Sequence, residues 1–267
     1  MTSLLLGRDA VEGDDFTLDP DAPCHIAIQG QTRSGKSMLT YVVLSQLSRR
    51  PDVVVAGLDP TGIVLAPFQD GPMPELRAGG LDPISRYVEV LRNLVAMMEK
   101  RIGELLEAGS DGLTRFSPSS PMVFVVLEEW PGIMAAAKAD DQATARKPAE
   151  RLASRIELLT GRLLREGAKV GFRVLMIAQR FSSASIDTDA RAQFAIRISL
   201  RLDNADAVRM LHDSIDEALI AAFPKFAPGE GLCDLPGERI HFYSYSLDYR
   251  EYLRRVRRNL SGQPGRA

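Results

Sequence analysis

The sequence predicts an α/β fold, a mainly parallel central sheet with helices on both faces, three layers in all. Three observations predict it. Short apolar or β-branched runs alternate with helix-length segments along nearly the whole chain. Ile84, Val88, Leu91, Val95, Met98, Ile102 and Leu105 are spaced four-three-four-three, the buried stripe of one long helix. A glycine-bounded turn stands between one strand and the helix that follows it.

Taken in order, residues 25–29 read as a short buried strand and residues 36–47 as a helix with Leu39, Val43 and Leu47 on one face. Residues 53–58 form a β-branched strand that Asp59-Pro60-Thr61-Gly62 ends. Residues 67–80, rich in Pro and Gly, read as a loop, after which Asp82 is the expected N-cap and Pro83 the first turn of the long helix. The Met97-Met98 pair on that helix reads as core filling. Residues 117–121 are a polar linker and residues 122–127 the most strand-like run. Residues 135–148, small, polar and charged, are expected to be a mobile loop. Leu152, Ile156, Leu159 and Leu163 mark another helix, closed by residues 167–171. Strands at 173–178 and 194–202 flank a Ser/Asp loop at 181–189, and short helices, a hairpin at 231–245 and a basic tail follow. The expected organisation is a lead-in with short strands (1–24), one main domain (25–247) and a basic helix or tail (248–267).

Composition narrows the class. At 267 residues, with 45 % hydrophobic and 25 % charged residues, the chain can bury a full core without disulfides. A net charge of −2 excludes a polycation that coats nucleic acid, so any such contact must come from local basic patches. Cys24 and Cys233 fit no metal spacing and read as reduced buried thiols of a cytoplasmic protein. The leucine run at the N-terminus is too short for a signal peptide, and no apolar run approaches the ~18 residues of a membrane span. His25, His212 and His241 are scattered and read as structural.

The chemistry starts at Gly30-Gln31-Thr32-Arg33-Ser34-Gly35-Lys36-Ser37, which matches G-x-x-x-x-G-K-S with a strand before it and a helix after it. Its glycines let backbone N–H groups converge on phosphates beside the positive end of a helix. Residues Gly30 to Met38 are therefore the expected ATP phosphate site. Lys36 bridges the β- and γ-phosphates, and Ser37 offers its hydroxyl to Mg²⁺. Arg33 either touches phosphate or faces a neighbouring subunit. A second acidic site is expected at Glu128 and Glu129, where residues 122–127 end. Because successive strand residues alternate sides, Glu128 is assigned to the metal and Glu129 to the attacking water as general base. A Glu where Asp is usual adds a methylene at the metal position, so a slow or inactive enzyme is one reading. Gln179, at the end of the strand at 173–178, is the candidate γ-phosphate sensor; the alternative is a loop-stabilising amide. Trp130 is expected to pack near the site.

This motif set resembles the FtsK/SpoIIIE-like DNA-translocase ATPases, in particular their actinobacterial plasmid-transfer relatives of TraB type. The resemblance runs through Leu5-Leu6-Gly7-Arg8-Asp9, the phosphate loop, Asp59-Pro60-Thr61-Gly62, and the helix at 91–106. It continues through Leu127-Glu128-Glu129-Trp130-Pro131-Gly132, residues 171–180, Ile198-Ser199-Leu200-Arg201-Leu202-Asp203 and Pro228-Gly229-Glu230-Gly231. The fourth loop position, often Gly in that family, is Arg33 here, and Asp203-Asn204-Ala205 stands where Asp-Ser-Arg is usual. The resemblance implies a RecA-like P-loop motor core and a homo-oligomer, commonly a hexameric ring, around double-stranded DNA. It also implies an arginine that completes a neighbour's site; Arg201 is favoured over Arg197 and Arg209. A membrane-anchored or DNA-reading partner would lie outside this chain.

Two segments are candidates for DNA contact by position: residues 135–148, with Lys138, Arg146 and Lys147, and residues 181–193, with Arg191. Neither is strongly basic, and both also read as solvated loops. The basic tail either binds phosphate backbone or docks as a helix through Tyr249, Leu253 and Val256, the favoured reading. Two rivals to a DNA motor remain at this level: a protein-export ATPase of type VII secretion kind, and a nucleotide-binding scaffold with weak catalysis.

Overall fold

In the computed structural model, which describes residues 3–262, the chain folds into strands and helices in close alternation. Residues 1–2 of the expected lead-in and 263–267 of the expected tail lie outside the described residues. The elements begin with β1 (Leu4–Asp9), β2 (Asp15–Leu18), β3 (His25–Gln29), α1 (Lys36–Leu47), β4 (Val53–Asp59) and β5 (Arg77–Gly79). Next come α2 (Ile84–Ala108), β6 (Met122–Leu127), α3 (Trp130–Ala143), α4 (Leu152–Glu166) and β7 (Phe172–Ala178). The chain ends with α5 (Thr188–Ala192), β8 (Phe194–Leu200), α6 (Ala205–Leu211), α7 (Glu217–Ala222), β9 (Glu230–Leu235), β10 (Glu238–Ser244) and α8 (Tyr249–Ser261). Two compact units result: residues 1–50 with 175–267, and residues 51–174.

In the first unit β3 lies between β7 and β8 and runs parallel to both, with Ile26 opposite Leu175 and Ile28 opposite Ile198. Every residue of β3 is buried. A central parallel strand is covered on both faces, so its residues do not alternate apolar and polar: Ile26, Ala27 and Ile28 are apolar, and the polar ends, His25 and Gln29, are buried with them. Beyond β8 the pairing turns antiparallel, through the β9–β10 hairpin to β1 and β2. The lead-in thus belongs to the sheet. Gly7 shows why its sequence is constrained: a Cβ there would lie 2.0 Å from the carbonyl oxygen of Tyr243 on the paired strand.

Helix α1 is buried along most of its length. Gln46 fastens it to β1 by accepting from Leu5 N–H and donating to Leu5 O, both at 2.9 Å. Helix α8 packs on α1, with the rings of Tyr41 and Tyr252 stacked 4.5 Å apart. The tail is therefore a docked helix, but its buried row is Tyr252, Val256 and Leu260. Tyr249 and Leu253, expected in that row, are only half-buried. Positions four apart stack along one helix face, and this row starts at 252.

In the second unit β4 pairs in parallel with β6 on one side and β5 on the other. Both long strands are buried throughout. Helix α2 buries Tyr87, Val88, Leu91, Leu94, Val95 and Met98. Arg101 is buried as well, its guanidinium donating to Val170 O at 3.0 Å and Pro121 O at 2.6 Å.

Three sequence expectations are corrected in this unit. The loop expected at 67–80 contains β5, a three-residue strand paired with Gly57 to Asp59. The N-cap of α2 is Pro83, and the Asp82 carboxylate accepts from Gly79 N–H at 2.9 Å instead. Most of residues 135–148 form α3 rather than a loop. From α3, the buried Asp141 accepts from Leu152 N–H at 2.7 Å and Ala153 N–H at 3.0 Å, capping α4 from outside. No described helix is long and apolar enough to cross a membrane.

Candidate nucleotide-binding site

The first unit carries the phosphate loop. β3 ends at Gln29, and the chain curls through residues 30–35 into α1. Arg33 (φ 62°) and Gly35 (φ 106°) take the left-handed conformations that make the curl. At Gly35 only hydrogen fits, since a Cβ would come within 2.7 Å of Gly229 N. The loop is braced from several sides. Gly30 N–H donates to Gln179 O at 3.2 Å, Gln31 N–H to Arg201 O at 2.9 Å, and Gly229 N–H to Ser34 O at 2.8 Å.

The donors then converge. The Lys36 ammonium donates to the carbonyl oxygens of Gly30 and Gln31. No side chain caps α1, and no acid stands in its first turn. A helix of this length carries about half a positive charge at its uncapped end, which favours an anion. Ser34 Oγ is buried in the loop without a hydrogen-bond partner among the described residues. Thr32, Arg33 and Ser37 are exposed. Backbone N–H groups, an ammonium and free hydroxyl oxygen suit a polyphosphate and a hard cation. No cluster of three or more His, Cys, Asp or Glu that could hold a metal exists among the described residues. Ser37, exposed at the start of α1, carries a hydroxyl oxygen of the kind a hard cation takes.

Gln179 and Arg180 emerge exposed at the end of β7. Arg201, just past β8, is half-buried and donates from Nη2 to Arg33 O at 3.1 Å. The guanidinium thus rests on the loop of its own chain. Sequence reasoning missed the residue beneath this cluster. Gln29 is fully buried; its Nε2 donates to Ser199 Oγ (2.9 Å) and Ala207 O (2.8 Å), and its Oε1 accepts from Phe181 N–H (3.0 Å). Ser199 continues to His212 Nε2 at 2.7 Å, and His212 Nδ1 lies 2.8 Å from Asp234. Asp234 also takes the Arg239 guanidinium at 2.6 Å. Burial opposes ionisation of Asp234, but the hydrogen bonds from His212 and Arg239 outweigh it and hold its pKa at about 2. The signal available in the sequence was a glutamine inside an apolar strand, since a buried amide demands partners.

The second unit carries the acidic pair. Glu128 N–H donates to Leu58 O at 2.9 Å, so its backbone still follows the β4 register. Glu129 does not. It is left-handed (φ 51°, ψ 56°), caps α3, and its carbonyl accepts from Gly132 N–H (2.8 Å) and Ile133 N–H (3.1 Å). The alternation that separated the two acids therefore stops before the second one; a turn sets its direction. A left-handed non-glycine residue costs about 1 kcal/mol, and such strain gathers at functional sites. Both acids are partly exposed, and Trp130 is buried at the start of α3.

Asp59, at the end of β4, has a structural role. Its carboxylate accepts from Thr61 N–H and Oγ1, Val64 N–H and Leu65 N–H, at 2.7 to 3.1 Å. Burial first, and the charges of Asp59 and Asp82 second, push the Tyr87 hydroxyl up to about 12.

In the segments singled out for DNA contact the two arginines face acids, and among the described residues the two lysines do not. Arg146 faces Asp140 at 2.9 Å and Asp141 at 3.3 Å. Arg191 donates to Met210 O at 2.9 Å and faces Asp213 at 3.7 Å. Lys138 and Lys147 are exposed.

Comparison with known proteins follows the same lines. The sequence model of the FtsK/SpoIIIE family matches residues 2–221. No curated protein matches. Among solved structures, the pCW3 conjugation coupling protein TcpA, in a monomer form with ATPγS, is similar at a TM-score of 0.73 and 19 % identity. That likeness covers 94 % of this chain and 70 % of TcpA. The cytoplasmic domain of the type VII secretion ATPase EccC from Thermomonospora curvata is similar at 0.68 and 21 % identity, over 98 % of this chain and 31 % of EccC. The genome packaging NTPase B204 of Sulfolobus turreted icosahedral virus 2, in complex with AMPPCP, is similar at 0.50 and 10 % identity, over 84 % of this chain and 98 % of B204. At these identities the likeness is one of fold.

Proposed function

Because the chain belongs to the FtsK/SpoIIIE family, whose P-loop ATPase fold it shares, we propose that it is the ATP-hydrolysing subunit of a motor that moves double-stranded DNA. The proposed assembly is a homo-oligomeric ring, a hexamer in the simplest form, serving plasmid transfer or DNA segregation. The observation that carries the reading is the uncapped start of α1 beneath a loop whose lysine, glycine and hydroxyl groups suit a triphosphate. The conjugation coupling protein and the packaging NTPase among the similar folds support DNA as the cargo.

In this reading ATP phosphates lie on the N–H groups of residues 30–38, and Lys36 exchanges its loop carbonyls for the β- and γ-phosphates. Ser37 and Glu128 would hold Mg²⁺, which when bound would neutralise phosphate charge. Glu129 takes a proton from water as the water oxygen bonds to the γ-phosphorus. The bond from that phosphorus to the β–γ bridging oxygen breaks in line, with no covalent intermediate. Gln179 senses the γ-phosphate, and Arg201 offsets charge that develops on it.

The test is ATP turnover with and without duplex DNA. Duplex should accelerate the wild type, Lys36→Ala should abolish turnover, and Glu129→Gln should bind ATP without hydrolysing it. Normal turnover in Glu129→Gln would sink the general-base assignment. The likeness to EccC over nearly the whole chain motivates a second reading, a protein-export ATPase. A rate that ignores duplex DNA but rises with a substrate peptide would favour it.

A further inference from the structure

The basic helix α8 has two faces with different tasks. Its apolar row, Tyr252, Val256 and Leu260, is spent on α1. Asn259 fixes the far end, donating to Ser45 O at 3.2 Å and Ser48 Oγ at 2.9 Å. Asp248 caps the near end by accepting from Glu251 N–H at 2.9 Å. The helix is therefore held rigidly, and what it turns outward is set.

What it turns outward is arginine. Arg250, Arg254, Arg257 and Arg258 are all exposed. At 3.6 residues per turn these four positions fall within an arc of about 100° and span about 12 Å of helix. The acid on the helix, Glu251, is taken by Arg254 and Arg255. Among the described residues no carboxylate pairs with Arg250, Arg257 or Arg258. Arg49, also exposed, adds a cation next to Ser48, where α8 is anchored.

We propose that this arginine face of α8 is a docking surface for the phosphate backbone of duplex DNA. The inference rests on the DNA-motor reading and gives it a contact outside residues 135–148 and 181–193. Charge complementarity carries it. Guanidinium groups match phosphate oxygens in fork geometry, and a linear array of them suits a linear polyanion. A helix that binds an anionic membrane inserts its apolar face. Here that face is buried against α1, which argues against a lipid surface.

The experiment compares the full-length wild type with the combined variant Arg250→Gln, Arg254→Gln, Arg257→Gln and Arg258→Gln. Glutamine has nearly the helix propensity of arginine, so thermal unfolding should coincide for the two. Duplex affinity is measured by fluorescence anisotropy from about 0.05 to 0.3 M salt. Each phosphate contact contributes about 0.9 to the slope of log affinity against log salt. Four lost contacts should flatten that slope by about 3 to 4 and weaken binding at 0.1 M salt roughly a thousandfold. If the wild type binds duplex and the variant binds with the same slope and affinity, α8 is not the surface, while the motor reading stands. If the wild type neither binds duplex nor is stimulated by it, both readings fall. If the four substitutions leave duplex binding intact but abolish binding to phosphatidylserine vesicles, the surface belongs to a membrane and the proposal is overturned.

Discussion

Asp234 and Lys36 mark the two ends of what single residues disclose. Lys36 was legible because the chemistry of a phosphate loop lies in eight consecutive residues, and local spacing is what a sequence displays. Asp234 was not, because its partners come from other segments: His212 lies 22 positions away, and the same network reaches from Ser199 back to Gln29 across 170. Glu129 falls between these cases; its position was legible, but its left-handed turn was not. The Asp234 network carries a pH signature. Its carboxylate is depressed to about 2 in the fold, against about 3.9 when unfolded. A lowered folded pKa stabilises the fold above the unfolded value, and that stability is lost as pH falls through the folded one. Asp234→Asn should therefore cost about 1–3 kcal/mol at pH 7. The gap to wild type should close between about pH 4 and pH 2, read by urea unfolding at each pH. A gap of constant size across that window would show that the charge is not what stabilises the network.

Elements were legible where burial imposes a pattern. β3 and β6 match the expected strands residue for residue, and β4 is one residue longer, because strands buried on both faces carry apolar runs, the whole of β6 and Ile26-Ala27-Ile28 in β3. α3 was misread because its middle, Ala135-Ala136-Ala137-Lys138-Ala139, lacks an apolar stripe, although alanine is the strongest helix former. β5 was too short, at three residues, to show any period. The start of α4 could not be read locally either, since its cap comes from Asp141 on another helix. Asp141 is 6 % exposed and its two oxygens satisfy two N–H groups that open α4. Asp141→Ala should destabilise the protein by about 1–2 kcal/mol, while Asp141→Asn, which keeps one acceptor, should cost less. Hydrogen exchange should show faster loss of protection at residues 152–153 than elsewhere in α4. Uniform loss across α4 would mean that the carboxylate acts on the unit as a whole and not as a cap.

At the scale of the whole molecule, alternation of strands and helices announced a parallel sheet, but nothing local said that β3 would sit between β7 and β8. That order, created by chain crossover, delivers Gln179 and Arg201 to the phosphate loop. It also changes how Arg201 is read. Family resemblance offers it as an arginine that reaches into a neighbouring subunit, whereas its guanidinium here donates to Arg33 O of its own loop. We predict that a residue so placed acts within its own chain and offsets phosphate charge there. Mixing Lys36→Ala with Arg201→Ala in equal amounts separates the two geometries. If the arginine acts across an interface, a Lys36→Ala chain still lends its arginine to an Arg201→Ala neighbour, and about one interface in four of a random closed ring regains a complete site. If it acts within the chain, no pairing of the two variants completes any site, and turnover of the mixture should equal the mean of the separate proteins. The measurement is duplex-stimulated phosphate release, with mass in solution showing that mixed assemblies have formed. Recovery well above the mean would place Arg201 at the interface and make its bond to Arg33 a resting position that assembly releases.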